Sequence, residues 1–286
     1  MKVYETLISA EKLVEKLNHP DWAIVDCRFS LADPALGSKL YRKAHIPGAV
    51  YAHLDDDLSG RVIPGKTGRH PLPEIDEICQ TFSRWGISAG NQVVAYDDAG
   101  GAIAARLWWM LRWLGHTAAA VLDGGWGKWQ RNEYAVKQGV ESRQARPFTP
   151  TPREAVVVDT QGVLAMRIPV DGMLIDSRRP ERYRGELETI DAVAGHIPGA
   201  INAPYSENLD ANGLFLSQER LKARFELLLG AQRAEQAVFY CGSGVTAAHN
   251  ILAMAHAGLG EARMYPGSWS EWITDANREI SREAVQ

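Results

Sequence analysis

The residue best placed to do chemistry in this sequence is Cys241, which lies in the run 239–248, FYCGSGVTAA. An apolar strand pattern ends at this cysteine, a glycine-rich loop follows, and a helix is predicted from about Ala247 to Ala257. Gly242 and Gly244 permit positive φ, so the loop can aim backbone N–H groups at one point, and the helix start adds partial positive charge. The pattern therefore predicts a reactive thiolate, either a nucleophile or part of an anion receptor.

The other cysteines and the histidines show no such pattern. Cys27 lies inside the apolar strand pattern that begins at Ala23, Cys79 falls on the helical pattern 74–85, and neither precedes a glycine-rich loop. Most such cysteines are small buried apolar residues. Three scattered cysteines fit neither a disulfide framework nor a zinc site, and the eight histidines have no paired ligand spacing. We expect no metal and no cofactor.

Composition and charge describe an ordinary water-soluble chain. The chain has 286 residues, 45% hydrophobic and 23% charged, enough for two domains with substantial cores. With a formal net charge of −4 and a pI near 6.1, the chain lacks the excess positive charge that would attract nucleic acid or an anionic membrane. The N-terminus lacks a signal-peptide pattern, and no apolar run approaches the ~20 residues of a membrane span. We expect a cytoplasmic protein.

An internal repeat is the strongest organisational signal. Four pairs of segments recur in the same order, at offsets between 143 and 151: 24–28 (IVDCR) and 174–178 (LIDSR), 45–49 and 196–200 (both HIPGA), 94–97 (VAYD) and 238–241 (VFYC), 126–129 (WGKW) and 269–272 (WSEW). A period of this length is the size of a whole domain, so the repeat predicts a duplicated domain.

The repeat also predicts the domain organisation and fold class. We place the first domain at 1–137, a proline-containing linker at 138–154, and the second domain at 155–286. Short apolar runs alternate with helical stretches in each copy, which predicts an α/β fold with a mainly parallel sheet flanked by helices. Ligands bind at the carboxyl ends of such strands, where Cys241 lies. Asp97 occupies the matching position in the first copy, so only the second copy should carry a nucleophile.

Together these motifs resemble the tandem-domain rhodanese family, and the loop 241–247 is similar to its 3-mercaptopyruvate sulfurtransferase branch. The resemblance spans nearly the whole chain and includes the motifs 123–126 (DGGW) and 267–269 (GSW). It implies two tandem rhodanese-like domains and a sulfurtransferase in which Cys241 takes a sulfur atom from a small-molecule donor as a persulfide. The acceptor is then a thiol, either of a small molecule or of a protein, or cyanide.

The loop also suggests a donor. Family members that use thiosulfate tend to carry arginine and lysine after the cysteine, whereas this chain has Gly242 and Ser243. A Ser243 hydroxyl can donate to a carbonyl or relay a proton to a pyruvate enolate, which favours 3-mercaptopyruvate and leaves thiosulfate as the alternative donor. Serine is also a common turn residue. Gly242, Gly244, Val245 and Thr246 are expected to contact the donor, and Thr246 to cap the helix.

By resemblance, Arg182 binds the carboxylate of the donor, and His45 and Asp33 join Ser243 in a proton relay. Family members usually carry a second arginine before the second His-Ile-Pro-Gly segment, but the stretch 186–194 of this chain has none. A packing role fits His45 equally well, because His196 repeats it in the other copy. The segment 68–71, GRHP, is a further candidate for the site that the sequence leaves undecided.

Two other functions use a cysteine loop of this kind. A cysteine-dependent phosphatase needs an arginine that closes the loop around phosphate, and this chain has Ala247 there. A persulfide carrier for a protein partner would load sulfur stoichiometrically without turnover on small donors, and the sequence does not distinguish a carrier from an enzyme.

Overall fold

The computed structural model describes residues 3–282, which fold into two compact units. Unit 1 comprises residues 3–60, Leu72–Arg153 and Ala211–Phe215. Unit 2 comprises Arg61–Pro71, Glu154–Asp210 and residues 216–282. Each unit therefore includes one short segment from the other half of the chain. The boundaries predicted at 137 and 155 stay a prediction.

Unit 1 is built on a five-stranded parallel sheet. Its strands are β1 (Leu7–Ile8), β2 (Trp22–Asp26), β3 (Ala49–Tyr51), β4 (Gln92–Tyr96) and β5 (Ala119–Leu122), in the order β1-β5-β4-β2-β3. Its helices are α1 (Ala10–Val14), α2 (Leu36–Lys43), α3 (Ile75–Arg84), α4 (Ala104–Trp113) and α5 (Gly125–Arg131). The strands β2, β4 and β5 are buried along their whole length, as parallel strands covered on both faces are.

Unit 2 repeats this plan on a four-stranded parallel sheet. Its strands are β6 (Met173–Asp176), β7 (Ile201–Asn202), β8 (Ala237–Tyr240) and β9 (Arg263–Met264), in the order β7-β6-β8-β9. Its helices are α6 (Thr160–Ala165), α7 (Pro180–Tyr183), α8 (Gln218–Leu229), α9 (Ala247–His256) and α10 (Ser268–Trp272), with short 3₁₀ helices at Glu154–Val156, Tyr205–Asn208 and Ala234–Gln236. The predicted α/β class and the duplication are confirmed.

Both units use the same buried ion pair to fix the ends of their strands. In unit 1, Arg28 Nη2 donates to Asp26 Oδ2 at 2.6 Å, and the guanidinium lies 4.4 Å from the centre of the Trp126 ring. In unit 2, Arg178 and Asp176 make the same 2.6 Å contact, with Arg178 over Trp269. Such pairs, satisfied by further hydrogen bonds, hold the carboxyl end of the sheet in one geometry.

No helix within residues 3–282 has the length and hydropathy that a membrane span needs.

Candidate active site

Cys241 lies directly after β8, and its backbone is held by the start of α10. Its N–H donates to Ser268 Oγ at 3.1 Å, and its carbonyl accepts the Trp269 N–H at 3.0 Å. Ser268 in turn donates its hydroxyl to the Tyr265 carbonyl at 2.9 Å. Ser268 has a φ of +56°, an uncommon conformation for a residue with a side chain. The buried hydroxyl contacts therefore stabilise a strained residue that positions the cysteine.

The two glycines of the loop have different roles. Gly244 has a φ of +73°, and a Cβ there would lie 2.3 Å from the Pro266 carbonyl oxygen, so only glycine fits. Gly242 does not have a positive φ, which corrects the prediction for this residue. A Cβ at Gly242 would instead lie 3.3 Å from Arg69 Nη2 and 3.5 Å from Arg182 Nη1. Gly242 therefore leaves space beneath two guanidinium groups.

The amide groups of the loop are arranged to receive an anion. In the first turn of α9, the N–H groups of Ala248 and His249 donate to the carbonyls of Val245 and Thr246. Within residues 3–282, the N–H groups of Ser243, Val245 and Thr246 donate to no protein acceptor. Thr246 occupies the N-cap position, but its side chain makes no capping bond, so that part of the prediction is wrong. Unpaired N–H groups at a helix start favour an anion.

Two arginines approach Gly242, and one carboxylate bridges them. We call Arg69 and Arg182 the arginine pair. Arg69 Nη1 lies 2.6 Å from Asp191 Oδ1, and Arg182 Nη2 lies 2.7 Å from Asp191 Oδ2. Arg182 Nε also donates to Glu188 at 2.9 Å. The side chains of Asp191 and Glu188 are only 3% and 4% exposed, so the carboxylates of all three ion pairs are shielded from water.

Glu188 is held as a carboxylate by its hydrogen bonds. Burial raises its pKa, but the hydrogen bond from Arg182 and the backbone N–H groups of Asp191 and Ile190 outweigh burial, so the pKa lies below its usual value. The side chain therefore keeps its negative charge beside Arg182 at neutral pH.

Arg69 belongs to unit 2 because the segment Arg61–Pro71 packs against α10. The Arg69 N–H donates to Ser270 Oγ at 3.0 Å, and the Ser270 N–H donates to the Gly242 carbonyl at 2.8 Å. A Cβ at Gly68 would lie 2.6 Å from the Gly267 carbonyl oxygen, so glycine is needed for this close approach. Ser270 thus connects the Arg69 segment directly to the cysteine loop.

The same segment brings a histidine to the loop serine. His70 Nδ1 lies 2.7 Å from Ser243 Oγ, and the two residues are 2% and 5% exposed. A hydroxyl in direct contact with an imidazole can pass a proton to or from a bound molecule. Ser243, two residues after Cys241, is therefore part of a buried Ser–His pair.

His45 and Asp33, predicted for the proton relay, have local partners in unit 1. His45 Nδ1 donates to the Tyr41 carbonyl at 2.8 Å, and its ring stacks on the Tyr41 ring. His196 makes the same two contacts with Tyr183 in unit 2, which matches the packing role that the repeat suggested. Asp33 is half-exposed, accepts the Ala35 N–H and faces Lys39 at 3.5 Å. The predicted roles of His45 and Asp33 in proton transfer stay predictions.

Arg69 and His70 were not among the predicted site residues, although their segment was noted. One signal could have singled them out. The offset between the two copies falls from 151 to 144 between the His-Ile-Pro-Gly segments and the next strands, so this stretch is longer in the first copy, and the segment 68–71 lies within it. A lengthened stretch that combines arginine, histidine and glycine is typical of a functional loop.

The two parallel α/β units, of which only the second has a glycine-rich cysteine loop, match one known family of domains. The family model described as "Rhodanese-like domain" matches this chain at residues 9–132 and again at 161–275. The chain belongs to the rhodanese family.

The chain is also similar in sequence and structure to several sulfurtransferases of this family. It is 44% identical to a "Probable 3-mercaptopyruvate sulfurtransferase" of Pseudomonas aeruginosa, over 96% of this chain and 97% of that protein. It is 38% identical to a "Putative thiosulfate sulfurtransferase SseB" of Mycobacterium tuberculosis, over 97% of each. The solved structure of 3-mercaptopyruvate sulfurtransferase from Leishmania major superposes with a TM-score of 0.81 at 32% identity, covering 94% of this chain and 74% of that one. The predicted enzyme class, a sulfurtransferase, is confirmed.

Proposed function

We propose that this sulfurtransferase takes the sulfur atom of 3-mercaptopyruvate onto Cys241 and passes it, as a persulfide, to an acceptor thiol or to cyanide. The arginine pair converges on Gly242, the residue next to the cysteine, and this geometry is the main support for 3-mercaptopyruvate as the donor. A 2-oxo acid thiol has one carboxylate for the guanidinium groups and one sulfur for the nucleophile. The names of the relatives from P. aeruginosa and L. major support the same donor.

In the first step, the thiolate of Cys241 attacks the thiol sulfur of the donor. An S–S bond forms and the C–S bond breaks, and its electron pair remains on carbon as the enolate of pyruvate. One proton completes pyruvate. In the second step, an acceptor thiolate or cyanide attacks the outer sulfur, the S–S bond breaks, and its electron pair returns to Cys241 as the thiolate.

The residues around Cys241 have distinct roles in this scheme. The free N–H groups of Ser243, Val245 and Thr246 stabilise negative charge on the sulfur atoms. Ser243 Oγ, in contact with His70 at 2.7 Å, donates to the donor carbonyl and supplies the proton that the enolate needs. We therefore propose His70, rather than His45, as the partner of Ser243.

The arginine pair orients the donor. Arg182 Nη1 and Arg69 Nη2 face the position above Gly242, while the bonds to Asp191 hold the other sides of both guanidinium groups. Two guanidinium groups fixed in this way can bind one carboxylate with directed N–H bonds. Arg69 thereby supplies the second arginine that the stretch 186–194 lacks.

Thiosulfate is the second candidate donor, and the M. tuberculosis relative named as a thiosulfate sulfurtransferase supports it. In that reaction the thiolate attacks the outer sulfur, the S–S bond of thiosulfate breaks, and sulfite leaves with the electron pair. The acceptor could be a small thiol or a protein thiol, and we place the reaction in the cytoplasm.

The test is intact-protein mass spectrometry after brief exposure to 3-mercaptopyruvate or to thiosulfate. We expect wild-type protein to gain one sulfur atom from 3-mercaptopyruvate and to lose it when a thiol is added. Cys241→Ser should gain none, whereas Cys79→Ser, a control at a partly buried cysteine on α3, should behave as wild type. Sulfur uptake by Cys241→Ser would refute the proposal. Uptake from thiosulfate alone would favour the second donor.

A further inference from the structure

The arginine pair is matched by an equal number of carboxylates. Asp191 contacts both arginines, and Glu188 contacts Arg182 and lies 3.6 Å from Arg178. Arg178 is itself paired with Asp176. The formal charges of Arg69 and Arg182 are therefore cancelled by those of Asp191 and Glu188, although the free N–H groups of the pair still face Gly242.

The arginine pair can therefore donate hydrogen bonds to an anion although the four charged side chains together carry no net charge. A donor with one negative charge gains directed bonds from Arg69 Nη2 and Arg182 Nη1 without needing a strongly positive site. A donor with two negative charges must leave water for a site that offers the same bonds but no net positive charge, and the carboxylates of Asp191 and Glu188 repel it.

We propose that Asp191, assisted by Glu188, is a specificity-determining residue that makes the site prefer a monoanionic 2-oxo acid thiol over the dianion thiosulfate. This inference rests on the proposed function. Asp191 acts through the arginine pair rather than on the reacting atoms, so it is a positioning residue: it spaces the two guanidinium groups and neutralises one of their charges.

The sequence supports a role for these acids. Glu188 and Asp191 lie in the stretch 186–194, ELETIDAVA, where the resemblance implies an additional arginine. The chain thus has carboxylates where a further positive charge was expected, and both are buried against the arginine pair. Buried carboxylates carry a large desolvation cost, which their hydrogen bonds to arginine offset.

The test compares kcat/KM for 3-mercaptopyruvate and thiosulfate in wild type, Asp191→Asn and Glu188→Gln. Asp191→Asn keeps one oxygen to accept from Arg69 but loses the acceptor for Arg182 and removes one negative charge. We expect a lower KM for thiosulfate, a higher KM for 3-mercaptopyruvate, and about a tenfold rise in the ratio of thiosulfate to 3-mercaptopyruvate kcat/KM. Glu188→Gln should shift the ratio in the same direction.

The control is Asp171→Asn, which removes a carboxylate from an exposed pair with Arg167 and should leave the ratio unchanged. A purely structural role for Asp191 predicts that both donors lose activity equally, with no change of ratio, and that result would overturn the inference. Glu188→Gln provides an independent reading if Asp191→Asn does not fold. Failure of the proposed function would look different, because wild-type Cys241 would then gain no sulfur from 3-mercaptopyruvate.

Discussion

The loops after β4 and β8 have similar backbones, but the N–H groups of the first bind a carboxylate of the protein, whereas several of the second have no protein acceptor among the described residues. In unit 1, Asp97 follows β4, and its own carboxylate binds the loop: Oδ1 accepts the N–H groups of Ala99 and Gly101, and Oδ2 those of Ile103 and Ala104, at 2.8–2.9 Å. In unit 2, Cys241 follows β8, and the N–H groups of Ser243, Val245 and Thr246 have no protein acceptor in the part of the chain that the structure describes. The first loop holds a permanent anion and the second is ready for a transient one.

The two loops agree in backbone conformation and hydrogen bonding at two further positions. Gly100 matches Gly244, with φ of +70° and +73°. The carbonyl of Asp97 accepts the Trp126 N–H at 2.8 Å, as that of Cys241 accepts the Trp269 N–H. A strand-loop-helix turn of this type can therefore stabilise negative charge in both units. The residue at its start determines whether that charge is a structural carboxylate, as at Asp97, or a reactive sulfur, as at Cys241.

Replacing the fixed anion should have the largest effect on stability. Asp97→Ala removes the acceptor of four N–H groups, three of which are buried. We therefore expect a loss of about 3–5 kcal/mol in the free energy of unfolding of unit 1. Hydrogen–deuterium exchange of residues 99–104, together with chemical denaturation, measures this loss.

Cys241→Ala is the matched control, since it removes a side chain from the equivalent position without removing an acceptor of four N–H groups. Its exchange at residues 243–248 should stay close to that of wild type. Equal destabilisation by the two substitutions would contradict the distinction between an occupied and an open loop.

The second difference between the loops is Ser243, which the first copy replaces with Ala99. Ser243→Ala makes the active loop resemble the inactive one at this position and removes the contact with His70. We expect kcat for 3-mercaptopyruvate to fall by about 100-fold, because the enolate loses its proton source, and sulfur uptake from thiosulfate to change little, because sulfite leaves without a proton. Steady-state kinetics with both donors measures the difference.

His70→Asn should reproduce this donor-selective loss. An equal fall with both donors in either variant would show that the Ser–His pair shapes the loop rather than moving a proton.

The sequence predicted the parts of this molecule that depend on local pattern. The helix predicted from about Ala247 to Ala257 is α9, which ends one residue earlier, and the strand and loop around Cys241 follow from an apolar run that ends at the cysteine before two glycines. The duplication could be found because buried strands and the Asp–Arg pairs impose the same residues on both copies.

The sequence did not predict which distant residues complete the site. Arg69 and His70 lie far from Cys241 along the chain, and only the packing of Arg61–Pro71 in unit 2 brings them to the loop. The family resemblance implied His45 instead. A histidine in a repeated motif can serve packing in both copies, and sequence alone does not show which copy has given it another role.

The smallest expected effects on stability and activity come from His45→Gln and His196→Gln, which test whether the two repeated histidines have the same role. Each histidine donates to a tyrosine carbonyl and stacks on the same tyrosine, so each variant should lose about 1 kcal/mol of stability. Sulfur transfer should stay within about twofold of wild type in both. A loss of about 100-fold in His45→Gln alone would restore His45 to the proton relay.

The pH dependence of stability gives His196 a further signature. Burial lowers its pKa below the ordinary 6.5, and the hydrogen bond to the Tyr183 carbonyl only partly opposes this. Below about pH 6.5 the unfolded chain therefore binds a proton more readily than the folded chain, so the contribution of neutral His196 to stability is present above that pH and lost as the pH falls. His196→Gln removes this term, and chemical denaturation at pH 7.5 and 5.5 should show a smaller loss of stability in the variant than in wild type. An unchanged pH dependence would mean that His196 takes up a proton as readily in the folded protein as in the unfolded chain.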